Sequence, residues 1–216
     1  MAITLYDYWR SSAAYRIRIA LNLKGLEYEQ VSINLAPAVS AQNSPDYLQK
    51  NPQGRVPFFE DGEIAIGQSM AILEYLEEKH PDPALLPDER GARARIRSFC
   101  NSIACDVHPL NNVRVMGYLK NDLGVSDDDY MAWYAHWIQL GFRAAESFVS
   151  YAPDSQYCYG NAVTLADCLL VPQMYNARRF NVPLDEFPRL VEIVDNCNAL
   201  EAFEKALPEN QPDANM

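Results

Sequence analysis

A pair of serines near the start of the chain carries the first side chains that could do chemistry. Ser11 and Ser12 follow Arg10, where a β-rich segment gives way to apolar residues at helical spacing. Hydroxyls at a helix start either accept from the free N–H groups of the first turn or turn outward as donors. Those N–H groups and the helix dipole also favour an anion, by about 0.3–1 kcal/mol for the dipole alone. The segment Trp9–Arg18 is therefore a candidate anion site.

A thiolate is one anion that this site could stabilise. The pKa of a free thiol is about 8.5, and each tenfold gain in ionisation needs about 1.4 kcal/mol of preference for the thiolate. A hydroxyl donor together with the helix start can lower a thiol pKa by about one or two pH units. The alternative interpretation is that Ser12 only caps the helix, which is the commoner role of serine at that position.

Two later segments could offer backbone groups to a ligand. Val56-Pro57 precedes a predicted hairpin, and a cis bond there would expose the backbone of Val56 to an extended ligand. Gln68-Ser69 opens a predicted helix and offers a hydroxyl and free N–H groups to a carboxylate. Each segment also has a plain structural interpretation, a trans bond in the first case and an ordinary helix cap in the second.

The elements that position these residues alternate between strand and helix up to His80. Predicted strands are Ile3–Tyr8, Tyr28–Leu35, Pro57–Glu60 and Glu63–Ile66, with the turn signal Asp61-Gly62 between the last two. Predicted helices are Ala13–Lys24, which Gly25 should end, a short one near Pro45–Gln49, and Ser69–His80. The order βαβ, connection, ββα predicts a small α/β domain with a mixed sheet.

A cluster of prolines separates this region from a helical one. Pro81, Pro83 and Pro87 cannot continue a helix and mark a linker. Beyond it, the predicted helices are Glu89–Leu119, Asp127–Tyr151, Leu165–Phe180, Phe187–Cys197 and Leu200–Leu207. Pro109 and Pro172 fall inside two of these helices and should bend or break them. We therefore predict an α/β domain over residues 1–81 and an all-α domain over residues 88–216.

The composition argues against several classes of function. The formal net charge is −11, with −3 up to residue 81 and −8 after it, so neither half has the basic surface of a nucleic-acid-binding protein. No apolar run is long enough for a membrane span and no secretory leader is readable, so we expect a cytoplasmic protein. The five cysteines form no C-x-x-C pair and the three histidines have no metal-ligand spacing, so we expect neither a disulfide framework nor a metal.

The order of these features resembles a known family. The segment Ser11–Leu21 is similar to the signature S-S-C-x-W-R-x-R-I-A-L of the zeta class of glutathione transferases. The resemblance continues through Asn51-Pro52, Val56-Pro57, Gln68–Ile72, Asp106–Asn112, Thr164–Asp167 and Val171–Phe180, so it covers nearly the whole chain. It is strongest for the bacterial maleylacetoacetate and maleylpyruvate isomerases of that class. It implies the glutathione transferase fold, with a thioredoxin-like N-terminal domain and an all-α C-terminal domain.

The resemblance also implies a role for individual residues. Glutathione would be the cofactor, with its sulfur at Ser11 and Ser12, its peptide backbone at Val56 and its γ-glutamyl carboxylate at Gln68 and Ser69. The remaining matched positions that would contact glutathione or substrate are Gln42, His108, Asn112 and Arg114. The arginines matched to the carboxylates of a dicarboxylate substrate are Arg10, Arg114 and Arg179.

Several of these residues keep an alternative interpretation. His108 is either a general acid/base or a structural residue at the break before Pro109. The arginines are either substrate ligands or solvated surface charges. Ala13 stands where the signature has cysteine, which puts in doubt any chemistry that depends on that thiol, such as haloacid turnover, without excluding isomerisation. Structural roles are expected for Tyr15, Trp133, Tyr134, Trp137, the capping box Thr164–Asp167 and the solvated Arg178.

The activity implied by the resemblance is glutathione-dependent cis–trans isomerisation of a maleyl keto acid, with the chain as a homodimer. Maleylacetoacetate would connect the enzyme to tyrosine breakdown, and maleylpyruvate would connect it to gentisate breakdown. One alternative is a broad-specificity transferase that conjugates electrophiles. The other is a binding protein that keeps the fold without catalysis.

Overall fold

The computed structural model describes residues 3–152 and 154–214. Its contacts define two compact units. The first extends to Ala84 and also includes the segment that begins at Ala199, and the second spans Leu85–Asn198.

A four-stranded sheet in the order β2-β1-β3-β4 forms the centre of the first unit. Its strands are β1 (Ile3–Asp7), β2 (Tyr28–Ser32), β3 (Phe58–Asp61) and β4 (Ile64–Gly67). Strand β2 is parallel to β1, whereas β3 is antiparallel to both β1 and β4. Gly62 has a φ of 66° in the turn between β3 and β4, so the predicted hairpin and mixed sheet are confirmed.

Three helices alternate with these strands, and their order confirms the predicted βαβ–ββα pattern. They are α1 (Ser12–Leu23), α2 (Pro45–Lys50) and α3 (Ser69–Lys79), with a short 3-10 turn at Ala41–Asn43. Helix α1 buries Ala14, Ile17 and Leu21, which recur at helical spacing. It ends where Gly25 takes a φ of 64°, the left-handed conformation that closes many helices.

The second unit is helical among its described residues. Its helices are α4 (Arg90–Asn101), α5 (His108–Asn111), α6 (Val113–Asn121), α7 (Asp127–Ser150), α8 (Leu165–Arg179) and α9 (Pro188–Asn198). A π-helical turn, Ser102–Val107, joins α4 to α5. The described residues include no helix that is both long and apolar enough to cross a membrane.

The predicted helix Glu89–Leu119 is divided into α4, the π turn, α5 and α6, which confirms the break expected at Pro109. Pro109 lies in the first turn of α5, because it lacks the N–H that an uninterrupted helix would need at that point. Asn112 then has an extended backbone with a ψ of 163° and caps α6. Pro172 behaves differently, since α8 runs through it from Leu165 to Arg179 without ending.

The segment after Ala199 packs against the first helix. It contains α10 (Glu201–Ala206) and a 3-10 turn at Pro208–Asn210. Asn22 Nδ2 donates to Ala202 O at 3.0 Å, and Arg18 Nε donates to Ala206 O at 3.1 Å. The sequence assigns these residues to the helical domain, whereas their contacts in the structure are with α1.

Candidate active site

Ser11 occupies the N-cap of α1. Its Oγ accepts from Ala14 N at 3.2 Å, and its own N–H donates to Tyr8 O at 2.8 Å. Because a hydroxyl has one proton, Ser11 can accept from Ala14 and still donate to an anion. The cap is therefore Ser11 and not Ser12, which is the first helical residue and is buried. Of the two serines, the half-buried Ser11 is the better placed to meet a ligand.

Arg10 projects from the turn that precedes this cap. Its side chain is exposed, and its guanidinium carbon lies 4.0 Å from the centre of the Trp9 ring. A cation over an aromatic face is held without losing its hydrogen-bond donors. Among the described residues nothing accepts a hydrogen bond from the Arg10 guanidinium, so its N–H groups are left for a ligand on the residue next to Ser11.

The backbone at Val56 is fixed by the residues around it. Tyr47 Oη and Asn51 Nδ2 donate to the preceding carbonyl, Arg55 O, at 2.7 and 2.8 Å. Burial raises the pKa of Tyr47 to about 12, so its hydroxyl stays protonated and keeps donating. The Val56-Pro57 bond is cis. Within the part of the chain that the structure describes, no residue hydrogen-bonds to the backbone of Val56.

The start of α3 is open to an anion. Gln68, its N-cap residue, has a φ of 69° and makes no side-chain cap, so the first-turn N–H groups are not covered by it. Ser69 Oγ accepts from the buried Arg16 Nη1 at 3.0 Å. A helix N-terminus with a guanidinium directly behind it is a favourable place for a carboxylate.

Gln42 completes the group of predicted residues in the first unit. The backbone carbonyl oxygen of Gln42 lies 3.1 Å from the position that a Cβ on Gly54 would occupy. Gln42 therefore contacts the loop that leads to Val56. The same loop reaches the start of α3, because Gln68 Nε2 donates to Gln53 Oε1 at 2.7 Å. Oε1 of Gln42 is buried, with no hydrogen-bond partner among the described residues. A buried acceptor in this position fits a ligand that carries N–H groups.

In the second unit, three predicted residues lie around the break between α5 and α6. His108 is the first residue of α5, and Asn112 Oδ1 caps α6 by accepting from Arg114 N at 3.0 Å and Val115 N at 3.2 Å. The Arg114 side chain is exposed. The capping role of Asn112 uses only Oδ1, so its amide nitrogen is left as a donor.

Arg179 is the last residue of α8. Residues of the long helix α7 interact both with Arg179 and with α5, next to the break between α5 and α6. The guanidinium carbon of Arg179 is 4.9 Å from the Phe180 ring. Burial raises the pKa of Tyr134 on α7, and the positive charge of Arg179 opposes that rise. Arg179 therefore lies close enough to Tyr134 for its charge to act on that side chain. The neighbouring Trp133 Nε1 donates to Leu110 O in α5 at 2.8 Å.

The residues expected to be structural have that role. Tyr15 is buried, and Tyr134 packs on Phe180 with ring centres 4.2 Å apart. Asp167 Oδ2 accepts from both the backbone and the hydroxyl of Thr164, which confirms the capping box. Arg178 pairs with Asp195 at the surface, at 2.7 Å.

Sequence reasoning missed Arg16 and the pair Asp7 and Arg18. All three are buried, and Asp7 Oδ2 meets Arg18 Nη1 at 2.7 Å. The available signal was two arginines on a helix whose other side chains are mostly apolar. Buried arginines need partners, and such partners are often functional carboxylates or hydroxyls.

Comparison with known proteins finds relatives that cover nearly the whole chain. The family model described as "Glutathione S-transferase, N-terminal domain" matches residues 1–78. A protein of Vibrio cholerae described as "Probable maleylacetoacetate isomerase" is 44% identical over 99% of this chain and 99% of its own length. This chain belongs to the glutathione S-transferase family.

Two solved structures resemble this glutathione S-transferase over nearly its whole length, and the first of them belongs to the zeta class. The holo structure of a bacterial maleyl pyruvate isomerase of that class matches with a TM-score of 0.94 and 41% identity, over 97% of this chain and 99% of the other. Maleylacetoacetate isomerase from Methylobacterium extorquens AM1, with malonate and glutathione bound, matches with a TM-score of 0.93 and 38% identity, over 99% and 100%. The fold predicted from the sequence is confirmed.

Proposed function

We propose that this glutathione S-transferase is a glutathione-dependent cis–trans isomerase of a maleyl keto acid. The observation that carries the proposal is the Ser11 cap, whose hydroxyl accepts from Ala14 N and keeps its proton for an anion, directly after the exposed Arg10 in the chain. Similarity to maleylacetoacetate isomerases over nearly the full chain supports the same activity.

The residues of the first unit fit glutathione as the cofactor. Its γ-glutamyl carboxylate would lie at the open start of α3, at Gln68 and Ser69, with Arg16 behind them. The backbone of Val56, which has no hydrogen-bond partner among the residues that the structure describes, suits an extended peptide, and the buried Oε1 of Gln42 can accept from the N–H groups of that peptide. His108 and Asn112 are further proposed contacts.

Ser11 and the start of α1 favour the ionised form of the cofactor thiol. The Ser11 hydroxyl would donate to the sulfur of bound glutathione, and the dipole of α1 would add to this preference for the thiolate. The chemistry supplied by glutathione is reversible addition of its thiolate to the cis double bond, so that rotation and elimination give the trans product. Ser12 is buried as the first residue of α1, so its proposed contribution to thiolate binding is as part of the N-terminus of this helix.

Arginines would bind the substrate carboxylates. Arg10, Arg114 and Arg179 are exposed guanidinium groups in a protein of net charge −11, so they are local positive sites in an acidic background. Planar guanidinium groups bind carboxylates through two parallel hydrogen bonds. Bound in this way, the substrate is oriented and the negative charge that develops on its keto acid is stabilised.

We propose that the substrate is maleylacetoacetate or maleylpyruvate, which would place the enzyme in the breakdown of tyrosine or of gentisate. We also propose that the enzyme is cytoplasmic and homodimeric.

A spectrophotometric assay tests the activity. Absorbance of the maleyl chromophore should fall rapidly when enzyme and glutathione are both present, and slowly when either is omitted. No rate above the blank with glutathione alone would refute the proposal. Conjugation of a chlorinated arene without isomerisation would instead identify a conjugating transferase.

A further inference from the structure

We propose that Asp213, in the segment after α10, is a positioning residue that holds the Trp9–Ser11 turn in place. The inference rests on the proposed function, since it concerns the turn that carries Arg10 and Ser11. It adds a residue far along the chain to that site, because Trp9 and Asp213 are separated by 204 positions.

Both backbone polar groups of Trp9 are held from outside the turn. Asp213 Oδ2 accepts from Trp9 N at 3.2 Å, and Arg18 Nη2 donates to Trp9 O at 3.1 Å. The same Asp213 oxygen accepts from Ser32 Oγ at 2.7 Å, which ties it to the end of β2. Asp213 therefore connects the turn to the sheet.

A small group of buried charges surrounds this connection. Asp7 and Arg18 are fully buried, and Asp213 is 5% exposed. Gln30 Nε2 donates to Asp7 Oδ2 at 2.7 Å, beside the Arg18 contact. Asp7 thus lies in the field of both the Arg18 guanidinium and the Asp213 carboxylate, and each carboxylate also receives hydrogen bonds from neutral donors. A charge network of this kind has few alternative arrangements, so it fixes the turn in one geometry.

One feature of this charge network, a buried carboxylate oxygen, lowers the stability of the fold. Oδ1 of Asp213 is buried and has no hydrogen-bond partner within the described part of the chain. A buried carboxylate with one unsatisfied oxygen carries a desolvation cost that an apolar residue would avoid. Such features are expected where a residue serves the site in addition to the fold.

Displacement of Trp9 would also displace Arg10 and Ser11, the two proposed site residues of this turn. Arg10 rests on the Trp9 ring, with its guanidinium carbon 4.0 Å from the ring centre. Ser11 N is bonded to Tyr8 O, so Trp9 and Arg10 lie inside one closed turn. Loss of the Asp213 contact should therefore displace the Arg10 guanidinium and the Ser11 hydroxyl together.

Gln211 provides a matched control in the same segment. Like Asp213 it is buried, and its Nε2 donates to Lys205 O at 2.9 Å and Leu207 O at 2.7 Å. These bonds hold the segment to itself and do not reach the turn. Gln211→Ala should therefore loosen the segment and leave the Trp9–Ser11 turn unchanged.

The test compares Asp213→Ala, Asp213→Asn and Gln211→Ala in the full chain. Amide hydrogen exchange of the peptide covering residues 8–12, without ligand, should accelerate at least about tenfold in Asp213→Ala and remain as in the wild type in Gln211→Ala. Asp213→Asn keeps an acceptor oxygen and should restore much of the protection. Equal exchange in the wild type and Asp213→Ala would overturn the inference.

Activity provides a second readout. In Asp213→Ala, kcat/KM for isomerisation should fall about tenfold or more, and its pH profile should move to higher pH because the bound thiol loses its donor. A fall of the same size in Gln211→Ala, without a change in pH profile, would indicate a merely structural role and contradict the inference. A wild type without glutathione-dependent activity would refute the proposed function, while the exchange measurement would still decide the role of Asp213.

Discussion

At the scale of single residues, the site depends on side chains with two simultaneous roles. Ser11 caps α1 through its lone pair and keeps its proton for a ligand, and Asn112 caps α6 through Oδ1 and keeps its amide nitrogen. Ser69 accepts from the buried Arg16 at the start of α3. In each case the structural role fixes the position of the atom that the proposed chemistry needs. A helix cap and a ligand contact, the two interpretations considered from the sequence, are therefore compatible.

The five cysteines differ in exposure and therefore in the reactivity that we expect of their thiols. Four of the five are buried and Cys105 is exposed. Burial raises the pKa of the Cys158 and Cys197 thiols, which keeps them protonated and unreactive. A colourless disulfide reagent that releases a coloured thiol should therefore titrate one thiol per native chain at pH 8 and five after denaturation.

Cys105→Ser identifies the reactive thiol. This variant should show no rapid reaction in the native state, while Cys100→Ser should react like the wild type. More than one fast-reacting thiol in the native wild type would contradict the burial of the other four.

At the scale of elements, the π turn Ser102–Val107 determines where α5 and α6 begin. Val107 packs directly on Gly141 of α7, where a Cβ would overlap Cγ2 of Val107. The turn can approach α7 this closely only because residue 141 has no side chain. The proposed contacts His108 and Asn112 follow immediately, so their positions depend on this approach.

Gly141→Ala should therefore destabilise the protein. Overpacking at a tight contact costs about 1–3 kcal/mol, which exceeds the gain of about 1 kcal/mol that alanine brings to a helix. Thermal denaturation should show a lower Tm, and the double variant Gly141→Ala with Val107→Ala should recover part of the loss.

Gly117→Ala in α6 is the control for this substitution. A Cβ there would meet only Asn121 Nδ2, at 3.9 Å, so this variant should be as stable as the wild type or more stable. If both alanine variants behaved alike, the contact between Val107 and Gly141 would not constrain the fold.

Much of the element pattern could be predicted from local sequence. The hairpin at Gly62, the end of α1 at Gly25 and the capping box at Thr164 each depend on residues only a few positions apart. The π turn could not be predicted, because Pro109 indicates an interruption without specifying its form. Neither could the partners of Arg16 and Arg18, since these buried contacts join residues distant in the chain.

At the scale of the whole molecule, the residues of the proposed assignments fall into two groups, one in each compact unit. The first unit contains the residues assigned to glutathione at Ser11, Val56 and the start of α3, and it includes the segment after Ala199. The second contains His108, Asn112, Arg114 and Arg179. The sequence indicated both groups, whereas the contribution of the last segment to the first unit follows only from its contacts with α1.

Ligand binding should be visible as a change in the stability of the whole protein. A ligand that binds only the folded state at 100 times its Kd stabilises by about 2.7 kcal/mol. Saturating glutathione should therefore raise the Tm by several degrees. Cysteinylglycine lacks the γ-glutamyl carboxylate proposed to lie at the start of α3, so it should raise the Tm less at equal concentration. No shift with glutathione would favour a protein that has kept the fold without the site.

The most direct test of the account is the ionisation of bound glutathione in the wild type and in Ser11→Ala. Ser126→Ala is the matched control, because Ser126 caps α7 by accepting from Asp129 N at 3.1 Å. Each variant should lose about 1 kcal/mol of stability with its cap. An ultraviolet titration should show a bound-thiol pKa well below that of free glutathione in the wild type and Ser126→Ala. In Ser11→Ala, that pKa should be higher and kcat/KM lower by about 100-fold. A bound thiol that titrates identically in all three proteins would contradict the role assigned to Ser11.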